Sequence, residues 1–131
     1  MKWTPGINHC LRNGLKARIA RMVEFRAGFK EKVAQLYASN QKYAENEAGQ
    51  YLANVNIHLN PVLDQVDQAR FAVMRTEDPG NVLSKLDELR AALIDYADTP
   101  IMENPSQHME AAMSIINDQL DDDLQHLSTP A

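Results

Sequence analysis

Cysteine, glycine and the signatures of catalytic loops are scarce in this sequence. Its single cysteine, Cys10, cannot form an intramolecular disulfide or a cysteine-based zinc site, which agrees with a reducing compartment. The five glycines are scattered singly, so the chain has no glycine-rich phosphate loop, and it has no Gly-x-Ser-x-Gly nucleophile motif. These absences favour a protein that is not an enzyme and that uses no cofactor.

Long apolar runs are also missing. None approaches the roughly 18 residues that a membrane-spanning helix requires, and residues 1–6 are not followed by the apolar core of a signal peptide. We therefore expect a cytoplasmic protein with no membrane partner. The apolar fraction of 44% and the charged fraction of 24% are typical of a globular protein, and 131 residues suffice for a single domain spanning 1–131.

Positive charge is absent from the end of the chain, where no Lys or Arg follows Arg90. Residues 1–60 hold nine Lys or Arg and four acids, for a net charge of +5, whereas residues 61–131 hold four and fourteen, for −10. A chain polarised in this way either pairs its two halves within the fold or presents faces of opposite sign to partners.

The longest regular pattern predicts a first helix that begins near Leu15 and ends near Ser39 or near Gly49. Arg26 and Asn40 occupy two positions of its apolar seam, and polar residues there set register and partner number in packed helices. Residues 1–14 form a separate N-terminal segment, with a short helix closed by Gly14. The apolar seam consists of Leu15, Ile19, Met22, Phe29, Val33, Leu36 and Tyr43.

The same spacing predicts a second helix over residues 50–76, with a kink or restart at residue 60 because Pro61 lies inside it. Residues 77–81 are a loop. A third helix then ends before Thr99 and Pro100, and a fourth follows Asn104 and Pro105 and runs to residue 127, leaving 128–131 as a tail.

These elements predict an all-α, four-helix bundle-like fold, in which a long N-terminal helical hairpin (15–76) packs on a shorter C-terminal helical hairpin (77–127). The difference in length leaves part of the apolar stripe of the long hairpin uncovered within one chain. A second copy would bury it most simply, so the sequence predicts a homodimer.

The function we expect is protein–protein interaction of the adaptor, chaperone or inhibitor type. One predicted binding surface is the apolar seam of the first helix, with Met22, Phe29, Leu36 and Tyr43. The other is an acidic patch near the end of the fourth helix. Carboxylates there lie at the negative end of the helix dipole, which is unfavourable unless a cationic group compensates it. The patch is therefore either a binding surface for a cationic partner or an acidic surface exposed to solvent. The patch consists of Asp118, Asp121, Asp122 and Asp123.

Nucleic-acid binding is one alternative function, because Lys and Arg side chains flank the apolar seam. Flanking charges also pair with neighbouring helices in bundles, and the overall charge of −5 disfavours a nucleic-acid partner. The residues concerned are Arg18, Arg21, Lys30 and Lys32.

A divalent-metal-dependent hydrolase is the other alternative, because two Asp-x-x-Asp pairs lie on successive predicted helices. Helical phase places Asp64 about 160° from the core position Val66, and Asp95 about 160° from Leu93, so both carboxylates are expected to face solvent. The four candidate ligands are Asp64, Asp67, Asp95 and Asp98.

Overall fold

A computed structural model describes residues 5–75 and 80–119, and within these ranges the protein is helical and contains no strand. The predicted all-α class is therefore confirmed. None of the described helices combines the length and apolar character needed to cross a membrane. The elements are α1 (Pro5–Ser39), α2 (Gln41–Gly49), α3 (Tyr51–Met74), α4 (Gly80–Asp98), α5 (Ser106–Ser114) and a π-helix (Ile115–Gln119).

Helix α1 is longer at its N-terminus than the sequence pattern suggests. It begins at Pro5 and continues through Gly14, so the predicted short helix closed by this glycine is wrong. Leu11 and Leu15 are both buried and extend one apolar stripe across the glycine. Gly14 packs against the side chain of Gln65 on α3, so the missing side chain allows the two helices to approach closely.

A single extended residue, Asn40, separates α1 from α2. Its backbone torsions are φ −156° and ψ 96°, and its side-chain oxygen accepts a hydrogen bond of 3.2 Å from the backbone N–H of Tyr43. The chain therefore reverses within one residue, and α2 returns along α1. The ion pair between Lys32 and Glu47, with 3.3 Å between Nζ and Oε2, defines this antiparallel register.

The boundary between α2 and α3 lies at Gln50, and α3 continues without a restart through Pro61. Of the predicted kink or restart at residue 60, the restart is therefore wrong. Pro61 has no backbone N–H, so the carbonyl of Ile57 receives no hydrogen bond from it. Both residues are exposed, so water can donate the missing hydrogen bond. At the true boundary the side chain of Asn54 donates a 2.9 Å hydrogen bond to the Gln50 carbonyl.

The shorter C-terminal hairpin packs along α3, as predicted. Helix α4 ends at Asp98, before Thr99 and Pro100, and α5 begins at Ser106 after the Asn-Pro signal. A four-helix, bundle-like core of α1, α3, α4 and α5 results. Its largest fully buried side chains are Tyr51, Leu15, Met22, Leu86, Leu89, Leu93, Ile116, Val33, Val55 and Val62.

The last described turn of the fourth bundle helix is a π-helix. Ile115 and Ile116 are both buried there and continue the apolar face that includes Ala112. Arg12 of α1 donates a hydrogen bond of 3.2 Å from Nε to the carbonyl oxygen of Ile116, which joins the first and last elements of the bundle. The predicted continuation of this helix to residue 127 lies outside the described residues.

Candidate functional site

The buried Arg26 marks the level at which the bundle ends. Its side chain is only 4% exposed, although it carries a permanent charge. The guanidinium donates hydrogen bonds to the Tyr51 hydroxyl at 3.0 Å and to the carbonyl oxygens of Thr99 at 3.0 Å, Pro100 at 2.8 Å and Glu103 at 3.1 Å. These acceptors satisfy the buried cation, and they attach the connection between α4 and α5 to α1.

Two aromatic rings complete the surroundings of Arg26. The guanidinium carbon lies 5.1 Å from the ring centroid of Tyr51 and 5.4 Å from that of Tyr96, within the range of cation–π attraction. Burial raises the pKa of both tyrosines, and the positive charge of Arg26 partly offsets the increase. Arg26 thus serves the core of its own chain, although its position in the seam suggested a role in choosing a partner.

Beyond Arg26 the long hairpin projects past the C-terminal hairpin. Helix α1 continues from residue 27 to Ser39, which is 13 residues or about 20 Å, and α2 returns beside it. We call residues 27–50 the hairpin tip. Only Val33 and Ala44 are buried within it, whereas α3 buries seven residues along the bundle. The tip is therefore a pair of helices with few buried side chains, and its Val33 belongs to the same hydrophobic core as the bundle.

Three of the four predicted seam residues lie on this tip. Phe29 and Leu36 are half-buried and Tyr43 is 49% exposed, so each presents apolar surface to solvent. Met22 does not: it is fully buried in the core of its own chain, because α3 and the C-terminal hairpin cover this part of α1. The expectation that Met22 binds a partner is therefore wrong.

Tyr37 is an exposed apolar residue of the tip that the sequence pattern missed. It is 38% exposed and lies one position from the seam residue Leu36, so its helical phase alone did not distinguish it from a solvated side chain. Val23 is also exposed and lies two heptads earlier on the same stripe of α1. Together with Tyr43, Tyr37 gives the tip two exposed aromatic rings.

The candidate nucleic-acid residues lie along α1 but on more than one face. Helical phase places Arg18, Arg21 and Lys32 within about 60° of one another, and Lys30 about 120° from Arg18. Arg18 donates a 2.7 Å hydrogen bond to the side chain of Gln65, and Lys32 is paired with an acid of α2. Arg21 and Lys30 are exposed. Nucleic-acid binding stays a prediction.

The candidate metal ligands do not converge. Asp67 accepts a 3.1 Å hydrogen bond from Arg90 Nε, and Arg70 Nη1 lies 3.5 Å from the same oxygen, so its charge is already compensated. Asp64, Asp95 and Asp98 are exposed, as helical phase suggested for the first two. Among residues 5–75 and 80–119, no three His, Cys, Asp or Glu side chains lie close enough to hold a metal ion together.

The predicted acidic patch is only partly within the described residues. Asp118 is exposed on the π-helix, and Asp121, Asp122 and Asp123 lie outside the described ranges. Its role as a binding surface stays a prediction.

Comparison of the chain with protein-family models, with curated proteins and with solved structures found no match. The interpretation of the hairpin tip therefore depends on its geometry and chemistry.

Proposed function

We propose that this is a non-enzymatic cytoplasmic protein that acts through protein–protein contacts, as an adaptor, chaperone or inhibitor, and that the hairpin tip is its binding element. A second copy of the chain is the first partner, so the protein works as a homodimer. The main support for this proposal is the position and the exposed surface of the tip. The tip extends about 20 Å beyond the bundle and carries half-buried and exposed apolar side chains, among them Phe29, Leu36, Tyr37 and Tyr43.

The size of the tip suits an interface. Residues 27–50 number 24, and stable interfaces involve about 20–30 residues from each partner. Two tips packed together would convert two thin helix pairs into a four-helix bundle, in which the exposed aromatic rings of Tyr37 and Tyr43 gain neighbours. Aromatic side chains of this kind are enriched among the residues that contribute most to binding free energy.

The charge of the tip also permits self-association. It carries three basic and three acidic residues, so its formal net charge is zero, whereas the whole chain carries −5. Two tips can therefore approach each other without the net repulsion that two whole acidic surfaces would experience. The six residues are Lys30, Lys32, Lys42, Glu31, Glu45 and Glu47.

The test is the solution mass of the purified protein, measured by light scattering at low and high salt. We expect a dimer that persists at high salt, because apolar contacts are not screened. Tyr43→Lys should convert it to a monomer. Ile57→Lys is the matched control, because Ile57 is 69% exposed on α3 beside the bundle and lies outside the tip.

A monomer at both salt concentrations would reject the homodimer. A dimer that Tyr43→Lys leaves intact would show that the copies associate through another surface, and it would reject the tip as the binding element.

A further inference from the structure

The connection between α4 and α5 forms a second ordered surface at the base of the hairpin tip. We call residues 98–103 the shoulder. Its own Ile101 is buried, and the Glu103 backbone N–H donates a 2.9 Å hydrogen bond to the Pro100 carbonyl. The carbonyl bonds from Arg26 attach the shoulder to α1 at the residue before the tip begins. The shoulder therefore lies at the base of the hairpin tip, and the two surfaces are adjacent.

The upper surface of the shoulder is acidic with an apolar centre. Asp98 and Glu103 are exposed, and neither has an ion-pair partner within the described part of the chain. Met102 is 45% exposed between them. The nearest preceding basic residue in the sequence is Arg90, and none follows.

The hairpin tip carries the complementary groups. Lys30 and Lys42 are exposed, and the described residues provide no ion-pair partner for either, whereas Lys32 is already paired with Glu47. Tyr43 follows Lys42 directly and is also exposed. The tip thus presents two unpaired cations and an aromatic ring, and the shoulder presents two unpaired carboxylates and a thioether.

We propose that the shoulder of one copy binds the hairpin tip of a second copy, and that the dimer is symmetric, with each tip on the partner's shoulder. This inference depends on the proposed function and adds a second contact to it, because two tips that pack side by side in opposite directions also bring each tip to the partner's shoulder. Lys30 and Lys42 pair with Asp98 and Glu103, and Tyr43 packs against Met102. A two-fold axis makes the two contacts equivalent, since each copy supplies one tip and one shoulder.

Charge reversal tests this arrangement. The tip variant is Lys30→Glu with Lys42→Glu, and the shoulder variant is Asp98→Lys with Glu103→Lys. We expect each variant alone to show a dimer dissociation constant raised about tenfold or more at low salt, because like charges then face each other. All four side chains are exposed, so folding should be unaffected, which circular dichroism would verify.

An equimolar mixture of the two variants provides the decisive readout. In the mixed dimer both contacts again join opposite charges, because one contact has its signs exchanged and the other is the wild-type contact. Sedimentation should therefore detect a heterodimer with affinity close to that of the wild type. The control is Arg18→Glu with Arg21→Glu. It changes the net charge as much as the tip variant does but lies outside the tip, and it should leave the wild-type affinity unchanged.

The outcomes separate this inference from the proposed function. If the charge variants dimerise like the wild type while Tyr43→Lys is monomeric, the tip is an interface and the shoulder is not its partner. If the mixture fails to restore affinity, the pairing of tip with shoulder is wrong. If the wild type is a monomer at every salt concentration, the homodimer itself is rejected.

Discussion

Arg26 and Pro100 are 74 positions apart in the chain, and the Nη2 of Arg26 donates a 2.8 Å hydrogen bond to the carbonyl oxygen of Pro100. The guanidinium also donates to the Tyr96 carbonyl at 3.4 Å, in the last turn of α4, where the negative end of the helix dipole lies, and its planar shape lets it reach several acceptors at once. This contact joins the two hairpins and determines where the tip begins.

Arg26→Ala should lower the free energy of unfolding by about 3 to 5 kcal/mol, because it removes the common donor of the Tyr51 hydroxyl and of several part-buried carbonyl groups. Arg26→Lys should recover only part of this loss, since an ammonium group has three donors and no planar face to stack on Tyr51 and Tyr96. Urea denaturation measures both changes. A loss below about 1 kcal/mol for Arg26→Ala would contradict the role assigned to this residue.

The raised pKa of Tyr51 and Tyr96 predicts a loss of stability at alkaline pH. Their folded-state pKa exceeds the ordinary tyrosine pKa of about 10, so the folded state holds its phenolic protons more tightly than the unfolded state. The associated stability is fully present below about pH 10 and decreases as the pH rises through the folded-state pKa.

Urea denaturation between neutral and strongly alkaline pH would measure this decrease. Tyr96→Phe should make the decrease smaller, because the phenylalanine ring remains buried but has no proton to lose. Tyr37→Phe, at an exposed ring, serves as the control and should follow the wild-type curve. Identical curves for all three proteins would contradict the prediction.

Gly28→Ala should raise the free energy of unfolding by about 1 kcal/mol, because alanine has the higher helix propensity. Gly28 is exposed inside α1, and an added Cβ would meet no atom within 4 Å. Gly14→Ala is the matched comparison within the same helix. It should stabilise less or destabilise, since its Cβ would collide with the Gln65 side chain, which is held by hydrogen bonds to Arg18 and Leu11. Thermal melting of both variants gives the comparison.

Asn40→Ala should destabilise the hairpin tip by about 1 kcal/mol, because α2 loses its N-terminal cap. Asn40→Ser should cost much less, since a serine hydroxyl can also accept the hydrogen bond from the Tyr43 N–H. Amide hydrogen exchange would show the effect locally, as faster exchange in α2 with little change in α3. Equal exchange in the two variants would contradict the capping role.

The helical class, the apolar faces and most helix boundaries could be predicted from the sequence, because they depend on local spacing and on local stop signals. The alternation from Leu15 to Val33 places the buried stripe of α1 correctly, and Thr99 with Pro100 locates the end of α4. Gly14 and Pro61 misled the prediction for a shared reason. A glycine or proline interrupts a helix only if the surrounding packing does not favour its continuation, and packing is not local.

The hairpin tip could be predicted in part: its existence could be, and the identity of its exposed residues could not. The sequence determined that the N-terminal hairpin is longer than the C-terminal one, since helix lengths follow from the repeat. Only the tertiary structure decided which residues that excess length exposes. Met22 is buried and Tyr43 is exposed although both belong to one seam, because the bundle covers α1 as far as Arg26. The point at which one helix no longer covers another depends on contacts between residues that are distant in sequence. A one-dimensional pattern of residues does not contain these contacts.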